Sequence, residues 1–285
     1  MLRGVNEYLR ARSVDEAVRF LEARGERAHL LAGGTDLLLV DKGYDAILDI
    51  SRLELDYIRE EGDDLAIGAT TSIESIARSA AVASLAGGIL CESCRIFGTL
   101  QIRNMATIGG NIANAMPAAD PPSALLALDA RIVAVGPQGS RREFAIAHFF
   151  TGPRRTLLDR NELITEIRLP LAFREWDGRW KKIGRVTRDI ALVNTGVSAR
   201  IDGGVIRDAR IALCAVAPAP FRATEAEQIL RDNAPSPALF AAAAEAVRRA
   251  VRPISDMRAS EAYRRHVSGV LVRRSLAEIA RIEDE

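Results

Sequence analysis

Leu30-Leu31-Ala32-Gly33-Gly34-Thr35-Asp36 and Thr107-Ile108-Gly109-Gly110-Asn111-Ile112-Ala113-Asn114 are the two stretches on which the reading of this chain turns. In each, a glycine pair follows a short apolar run and leads into hydroxyl, amide or carboxylate side chains. Gly-Gly permits positive φ and lets a ligand lie directly on the peptide plane. Consecutive amides in such a turn form a concave nest suited to a diphosphate. One such loop is a weak signal. Two in different contexts suggest a long anionic ligand gripped from both sides. The bland alternatives are a tight turn capped by Thr35 or Asp36, and an Asn/Gly/Pro loop closed by its own Asx turns.

The flanks of the first loop read as a small βαβ-like unit. Ser13 followed three residues later by Glu16 has capping-box spacing and starts a helix that stops at Gly25. His29 to Ala32 is a strand, Asp36 to Val40 a short helix, and Ala46 to Ile50 another strand. Around the second loop, Leu65 to Ala69 is a strand and Ser72 to Ala77 a capped helix. Ala81 to Cys94 is an Ala/Gly-rich helix candidate, and Ser123 to Leu128 a further helix. Arg131 to Val135 and Arg142 to Ala145 flank a Pro-Gln-Gly turn as a hairpin. Glu162 to Leu169 alternates and ends at Pro170. Beyond it the texture changes. Trp180–Ile183, Leu192–Ile201 and Ala209–Val216 read as three strands, and the remainder as helices at 225–232, 238–252 and 260–282. A boundary near residue 172 divides the chain into 1–172, itself split at about 55, and 173–285.

Composition narrows the class. Of 285 residues, 48% are hydrophobic and 27% charged, enough for a sizeable core and two domains. Lys+Arg 39 against Asp+Glu 38 leaves no global field that would attract nucleic acid or a membrane surface. Three cysteines and an N-terminus without an apolar leader region fit a reducing, cytoplasmic setting. No apolar window is long enough to span a bilayer.

The side chains around the second glycine pair carry the chemistry. Thr107, Asn111, Asn114 and Asp120 place four hydrogen-bonding groups within 14 positions, in a stretch otherwise of Gly, Ala, Ile and Pro. A ribityl or ribose chain needs that mix of donors and acceptors on a closely approaching backbone. Cys91 and Cys94 have C-x-x-C spacing but lack a second Cys or His pair to complete a metal site. His29, His148 and His266 are scattered, and neither a P-loop nor a strand-linked GxGxxG is present. Lys181, Lys182, Arg185 and Arg188 are either a phosphate-facing group or a solvated strand face. Arg258, Arg264, Arg265, Arg273 and Arg274 read as a solvated helix face or subunit contacts.

AGGTDL at 32–37, IRNMATIGGNIANAMPAADPPSALLALDA at 102–130, RDIALVN at 188–194 and SDMRASEAYRRH at 255–266 occur in the order found in one family. The chain resembles the FAD-binding medium subunit of the molybdenum hydroxylases, the xanthine dehydrogenase and aerobic carbon monoxide dehydrogenase type, over essentially its whole length. The resemblance implies an α+β fold: a two-subdomain, PCMH-type FAD-binding domain, then a three-stranded antiparallel sheet with a helical bundle. It implies that Ala32, Gly33, Gly34, Thr35 and Asp36 hold the FAD diphosphate. Thr107, Gly110, Asn111, Asn114 and Asp120 would line the second grip on the ribityl–diphosphate–adenosine chain. Phe97 falls where an aromatic covers the flavin ring, Ile164 where an aliphatic packs near it, and Lys181 where a lysine meets the pyrimidine edge.

Implied partners are a large subunit with a molybdopterin cofactor and a small subunit with two [2Fe-2S] clusters, assembled as a dimer of heterotrimers. Implied chemistry is electron transfer from those clusters through FAD to NAD or a quinone. This chain has too few cysteines to hold a cluster itself. The alternatives are an assembly scaffold of the same fold without flavin, and a stand-alone flavin reductase. No side chain is nominated as a proton-transfer catalyst, and no metal ligand is expected.

Overall fold

A computed structural model describes residues 4–39, 45–186 and 188–283. The first unit is a parallel three-stranded sheet of β1 (Glu7–Arg10), β2 (Ala28–Leu31) and β3 (Ala46–Asp49), in the order β1-β3-β2. Helix α1 (Val14–Arg24) joins the first two strands. It starts where the Ser13 hydroxyl accepts the Glu16 amide at 3.1 Å, while the Glu16 carboxylate reaches back to the Arg12 amide at 2.6 Å. Gly25, at φ +53°, ends it. Ala17, Phe20 and Leu21 then bury one face of the helix against Ala46, Leu48 and Ile50. The expected helix from Asp36 is a single 3-10 turn, Leu37–Leu39, and its proposed end at Val40 lies outside the described residues.

The second unit is an antiparallel five-stranded sheet of β4 (Ile58–Glu61), β5 (Asp64–Gly68), β6 (Arg131–Val135), β7 (Arg141–Ala145) and β10 (Leu163–Pro170). Its order is β4-β5-β10-β6-β7. Between β5 and β6 run the helices α2 (Ile73–Arg78), α3 (Ala80–Ala83), α4 (Ile89–Ile96), α5 (Leu100–Met105), α6 (Ile108–Asn114) and α7 (Pro121–Ala127). The single helix expected over Ala81–Cys94 is broken: Ala86, Gly87 and Gly88 all take positive φ and turn the chain between α3 and α4. After β7 come the short helix α8 (Ile146–Phe149) and a hairpin of β8 (Phe150–Gly152) and β9 (Arg155–Thr156).

The C-terminal part has the three long antiparallel strands expected, β11 (Asp177–Ile183), β12 (Val193–Asp202) and β13 (Val205–Cys214). A two-residue strand, β14 (Phe221–Arg222), extends that sheet at the β13 edge. Helices α9 (Thr224–Leu230), α10 (Pro237–Ala250) and α11 (Glu261–Ala280) pack on it, with Val197, Ile211, Phe240, Val247 and Val272 in their shared core.

Helix α7 lies between the two parts of the molecule and is buried on every side, from Pro121 to Ala127. It can approach β12 so closely because position 196 is glycine. A Cβ there would lie 2.4 Å from the Ser123 carbonyl oxygen. The Ser198 hydroxyl then donates to the Ala127 carbonyl at 2.6 Å, satisfying the end of the helix.

Candidate functional site

The two glycine stretches converge, by different means. In the first, only Gly34 takes positive φ, at +69°. Gly33 serves close approach instead: a Cβ on it would sit 1.8 Å from the Met105 carbonyl oxygen, so the loop rests directly on the end of α5. The second pair is not a turn. Thr107 caps α6 through a 3.2 Å bond from the Gly110 amide to its hydroxyl, and Gly109 and Gly110 form the helix's first turn. Glycine is unfavourable in a helix by roughly 1 kcal/mol relative to alanine, and packing supplies the reason for it here. A Cβ on Gly109 would lie 2.6 Å from Ala69 Cβ. Positive φ, expected at both pairs, occurs at one of four glycines.

Between the two stretches is a cleft of about 380 Å³, within the usual size range of ligand sites. Its lining includes Ala32, Gly33, Gly34, Thr35 and Asp36 from the first loop, and Thr107, Gly110, Asn111 and Asn114 from the second. Phe97, at the C-terminal end of α4, and Ile164, in β10 beside a register shift, also line it. Eleven of the thirteen residues singled out from the sequence thus share one cavity. Across it, Asn114 donates to the Asp36 carboxylate, tying the loops together.

Asp120 and Lys181 do not line this cleft. Asp120 is 6% exposed and ion-paired, with Lys182 Nζ at 2.6 Å from its Oδ2. Burial pushes its carboxyl above the usual range, with the Lys182 charge and hydrogen bonds from Lys182 and Asn194 acting against that rise. Lys181 instead donates to Glu278 of α11 at 2.5 Å. Strand alternation is the cause: successive side chains of β11 leave opposite faces of the sheet, so Lys181 meets α11 and Lys182 meets the loop before α7.

The C-terminal motifs brace this arrangement. Asn194 donates to the Ala119 carbonyl at 3.0 Å and to Asp120 Oδ1 at 3.2 Å, and accepts from the Ser123 hydroxyl at 2.6 Å. Arg264, expected on a solvated helix face or in a subunit contact, has a side chain only 4% exposed. It donates to the carbonyls of Leu192 (2.8 Å) and Ala215 (3.2 Å) and to Asp256 (2.8 Å). Cys91, Cys94 and Cys214 are buried thiols; burial raises each, Cys91 to about 11. They are poor nucleophiles in that state.

Sequence reasoning missed Arg154. It stands at the tip of the β8–β9 hairpin, lines the cleft and donates to Asn114 Oδ1 at 2.9 Å. The string Thr151-Gly152-Pro153-Arg154-Arg155 reads only as a turn, so its sole signal was an arginine pair beside Gly-Pro.

The lining suits a flavin dinucleotide. The Asn111 amide oxygen is buried and has no hydrogen-bond partner among the described residues, a state that ordinarily costs 1–3 kcal/mol and that a polyhydroxyl ligand would relieve. Gly33, Gly34 and Gly110 present bare backbone to the cleft wall, and Phe97, Ile164, Leu158 and Ile50 give the remaining wall an apolar surface for a ring.

Comparison with known proteins agrees. Residues 3–172 match the family described as FAD binding domain in molybdopterin dehydrogenase, and residues 179–279 match CO dehydrogenase flavoprotein C-terminal domain. The chain is 37% identical over 281 residues to the glyceraldehyde dehydrogenase medium chain of Sulfolobus acidocaldarius, covering 96% of this chain and 98% of that one. It is 33% identical over 280 residues to the xanthine dehydrogenase FAD-binding subunit of Escherichia coli O157:H7, covering 95% and 94%. Among solved structures, a chain of the carbon monoxide dehydrogenase of Hydrogenophaga pseudoflava, in a form lacking the Mo-pyranopterin moiety of the molybdenum cofactor, superposes with TM-score 0.94 at 36% identity, covering 99% and 100%. The chain therefore belongs to the FAD-binding medium subunits of the carbon monoxide dehydrogenase and xanthine dehydrogenase family of molybdenum hydroxylases, and is an oxidoreductase subunit.

Proposed function

We propose that this chain is the FAD-carrying electron-transfer subunit of a heterotrimeric molybdopterin dehydrogenase. In that assembly it passes electrons, received from [2Fe-2S] clusters of a small partner subunit, to NAD or a quinone. A large partner subunit carries the molybdopterin cofactor, the whole forms a dimer of heterotrimers, and it works in the cytoplasm. Among the described residues no helix is long and apolar enough to cross a membrane.

The observation that carries the reading is the meeting of the two glycine stretches on one cleft, with the unpartnered Asn111 Oδ1 inside it. When bound there, the flavin supplies a ring able to exchange electrons singly or in pairs. The chain's own residues supply position. In this reading the amides of Gly33 to Asp36 bind the diphosphate, and Thr107, Gly110, Asn111 and Asn114 bind the ribityl and ribose hydroxyls. Phe97 and Ile164 close on the ring and exclude water. Asp120, read from its spacing and from the resemblance, and Lys181, read from the resemblance, do not line the cleft, and Asp120 supports it from behind through Lys182. We place the flavin domain at 1–172, with its subdomains meeting near residue 55, and the C-terminal domain at 173–285.

Purification of the chain with the proteins that accompany it in its own cell tests this. The expected material is yellow, contains flavin, iron and molybdenum, and bleaches when the substrate of the large subunit is added. An assembled complex without flavin sinks the proposal. Reoxidation by NAD or by a quinone identifies the acceptor.

A further inference from the structure

The described residues of the cleft lining offer little positive charge for a diphosphate. Among the described residues lining it, Arg154 is the one lysine or arginine, against the carboxylates of Asp36 and Glu162. Glu162 is already engaged by Arg142 at 3.0 Å. Asp36 belongs to the first glycine loop and accepts from a neutral amide, that of Asn114. Among the described residues, neither Asp36 nor Arg154 forms an ion pair. A dianion placed beside Asp36 therefore needs a cation in addition to the backbone amides, which offer only partial charges.

Arg154 is built to be that cation. Its backbone is in the left-handed region at φ +56°, uncommon for a residue with a side chain. Its amide donates to the Ala115 carbonyl at 3.0 Å, and Ala115, also left-handed at φ +47°, ends α6. The hairpin tip is thus clipped to the end of the helix that carries Asn111 and Asn114. Of the five guanidinium N–H donors, the described contacts use one, from Nη1 to Asn114 Oδ1.

We infer that Arg154 is a further ligand-binding residue, its guanidinium pairing with the diphosphate of the bound dinucleotide while Asn114 holds it at the lip of the cleft. The planar fork of donors matches phosphate oxygens. This inference rests on the reading that the cleft takes FAD.

The test uses the full-length chain in its purified complex, stripped of flavin and titrated with FAD, ADP and riboflavin. ADP carries the diphosphate without the ring, and riboflavin the ring without phosphate. In R154Q, affinity for FAD and ADP should fall by about 10- to 100-fold. Riboflavin affinity should change by less than about 2-fold, and the loss of FAD affinity with added NaCl should become shallower. R154K keeps the charge and loses the fork, so it should retain more affinity than R154Q. The unfolding midpoint of the flavin-free complex should be the same in all three. Unchanged FAD and ADP affinity in R154Q overturns the inference. So does equal loss of riboflavin and FAD, or equal loss in R154K and R154Q, because each points to hairpin structure instead of charge. If the wild-type complex takes up no FAD, the functional reading itself falls; if only R154Q behaves like wild type, that reading stands and the role of Arg154 is lost.

Discussion

Lys182 Nζ lies 2.6 Å from Asp120 Oδ2 with side chains only 6% and 7% exposed, joining the C-terminal sheet to the segment that follows the second glycine stretch. Asn194 and Ser123 complete the contact, and Trp180 donates its indole N–H to the Ser123 hydroxyl at 2.9 Å. Such a network fixes where α7 sits, and through it the path of the chain from Asn114 to Asp120.

Removing one partner of this pair should be far worse than removing both. K182M leaves a buried carboxylate with no countercharge, which costs about 3–5 kcal/mol, while D120N/K182M should recover most of that. The pH slope gives a second check. Burial already raises Asp120, and K182M removes the cation that opposes the rise. A carboxyl whose folded pKa lies above its unfolded one makes the protein more stable as pH falls through that interval. Urea unfolding of K182M at pH 5 and pH 8 should therefore show a smaller deficit at pH 5. Equal deficits at both would refute the assignment.

Gly33 and Gly109 should fail for steric reasons that Gly34 does not share. At position 33 a methyl meets the backbone carbonyl of Met105 at 1.8 Å, and at 109 it meets the backbone carbonyl of Ala69 at 2.7 Å. Backbone cannot step aside as a side chain can, so G33A and G109A should each cost about 1–3 kcal/mol and lower flavin content. G34A meets only the Leu31 and Leu38 side chains, at 3.0–3.1 Å, but at φ +69°. Its cost should be about 1–2 kcal/mol of backbone strain. Flavin absorbance per polypeptide, alongside thermal midpoints, separates the three.

Much of the architecture was legible because the chain marks its helix starts with hydroxyls. Ser13, Ser72, Ser236 and Ser260 each accept an amide three residues on. Other features are hidden by composition. The run at 81–94 carries one local mark of its break, Gly87-Gly88, but the Ala, Leu and Ile around it read as one buried helix, and the left-handed residues at 86–88 split it. Gly109-Gly110 argues locally against a helix, and only contact with Ala69, 40 positions away, makes one pack there. Strand β1 escaped notice because Glu7 to Arg10 alternates charge in the manner of a surface strip. Adjacent lysines at 181 and 182 cannot be told apart until the sheet's faces are known. Eleven of the thirteen candidate residues were nonetheless brought to one cleft, since loops rich in Gly, Asn and Asp carry their signal locally.

Asn111 should separate binding from stability. Its buried amide oxygen has no partner among the described residues, so the flavin-free chain gains nothing from it. N111L removes an unsatisfied acceptor at similar volume, and the flavin-free variant should be as stable as wild type or more so, by up to about 1 kcal/mol. Flavin affinity should drop by roughly 10-fold or more. A variant that loses stability and affinity together would mean that the amide is structural.

Asp49 should set the acid limit of the first sheet. It ends the central strand β3, one residue before the cleft-lining Ile50, and is 3% exposed. Burial alone would raise its carboxyl. Hydrogen bonds from the Tyr8 hydroxyl, from Ser51 and from Arg10 outweigh that and bring it down to about 2. A carboxyl depressed in the folded state contributes stability above its unfolded value and loses it as pH falls through the folded one. The window here runs from about pH 4 down to about pH 2, and the contribution is on the order of 1–2 kcal/mol. Y8F removes one of the bonds that hold the carboxyl down, so its acid transition should move to higher pH. D49N should lower the thermal midpoint at pH 7 and show a shallower decline between pH 4 and pH 2. If D49N instead declines as steeply as wild type there, the acid sensitivity resides in other carboxylates, and the hydrogen bonds to Asp49 serve only to hold the end of β3 in register with the loop beyond it.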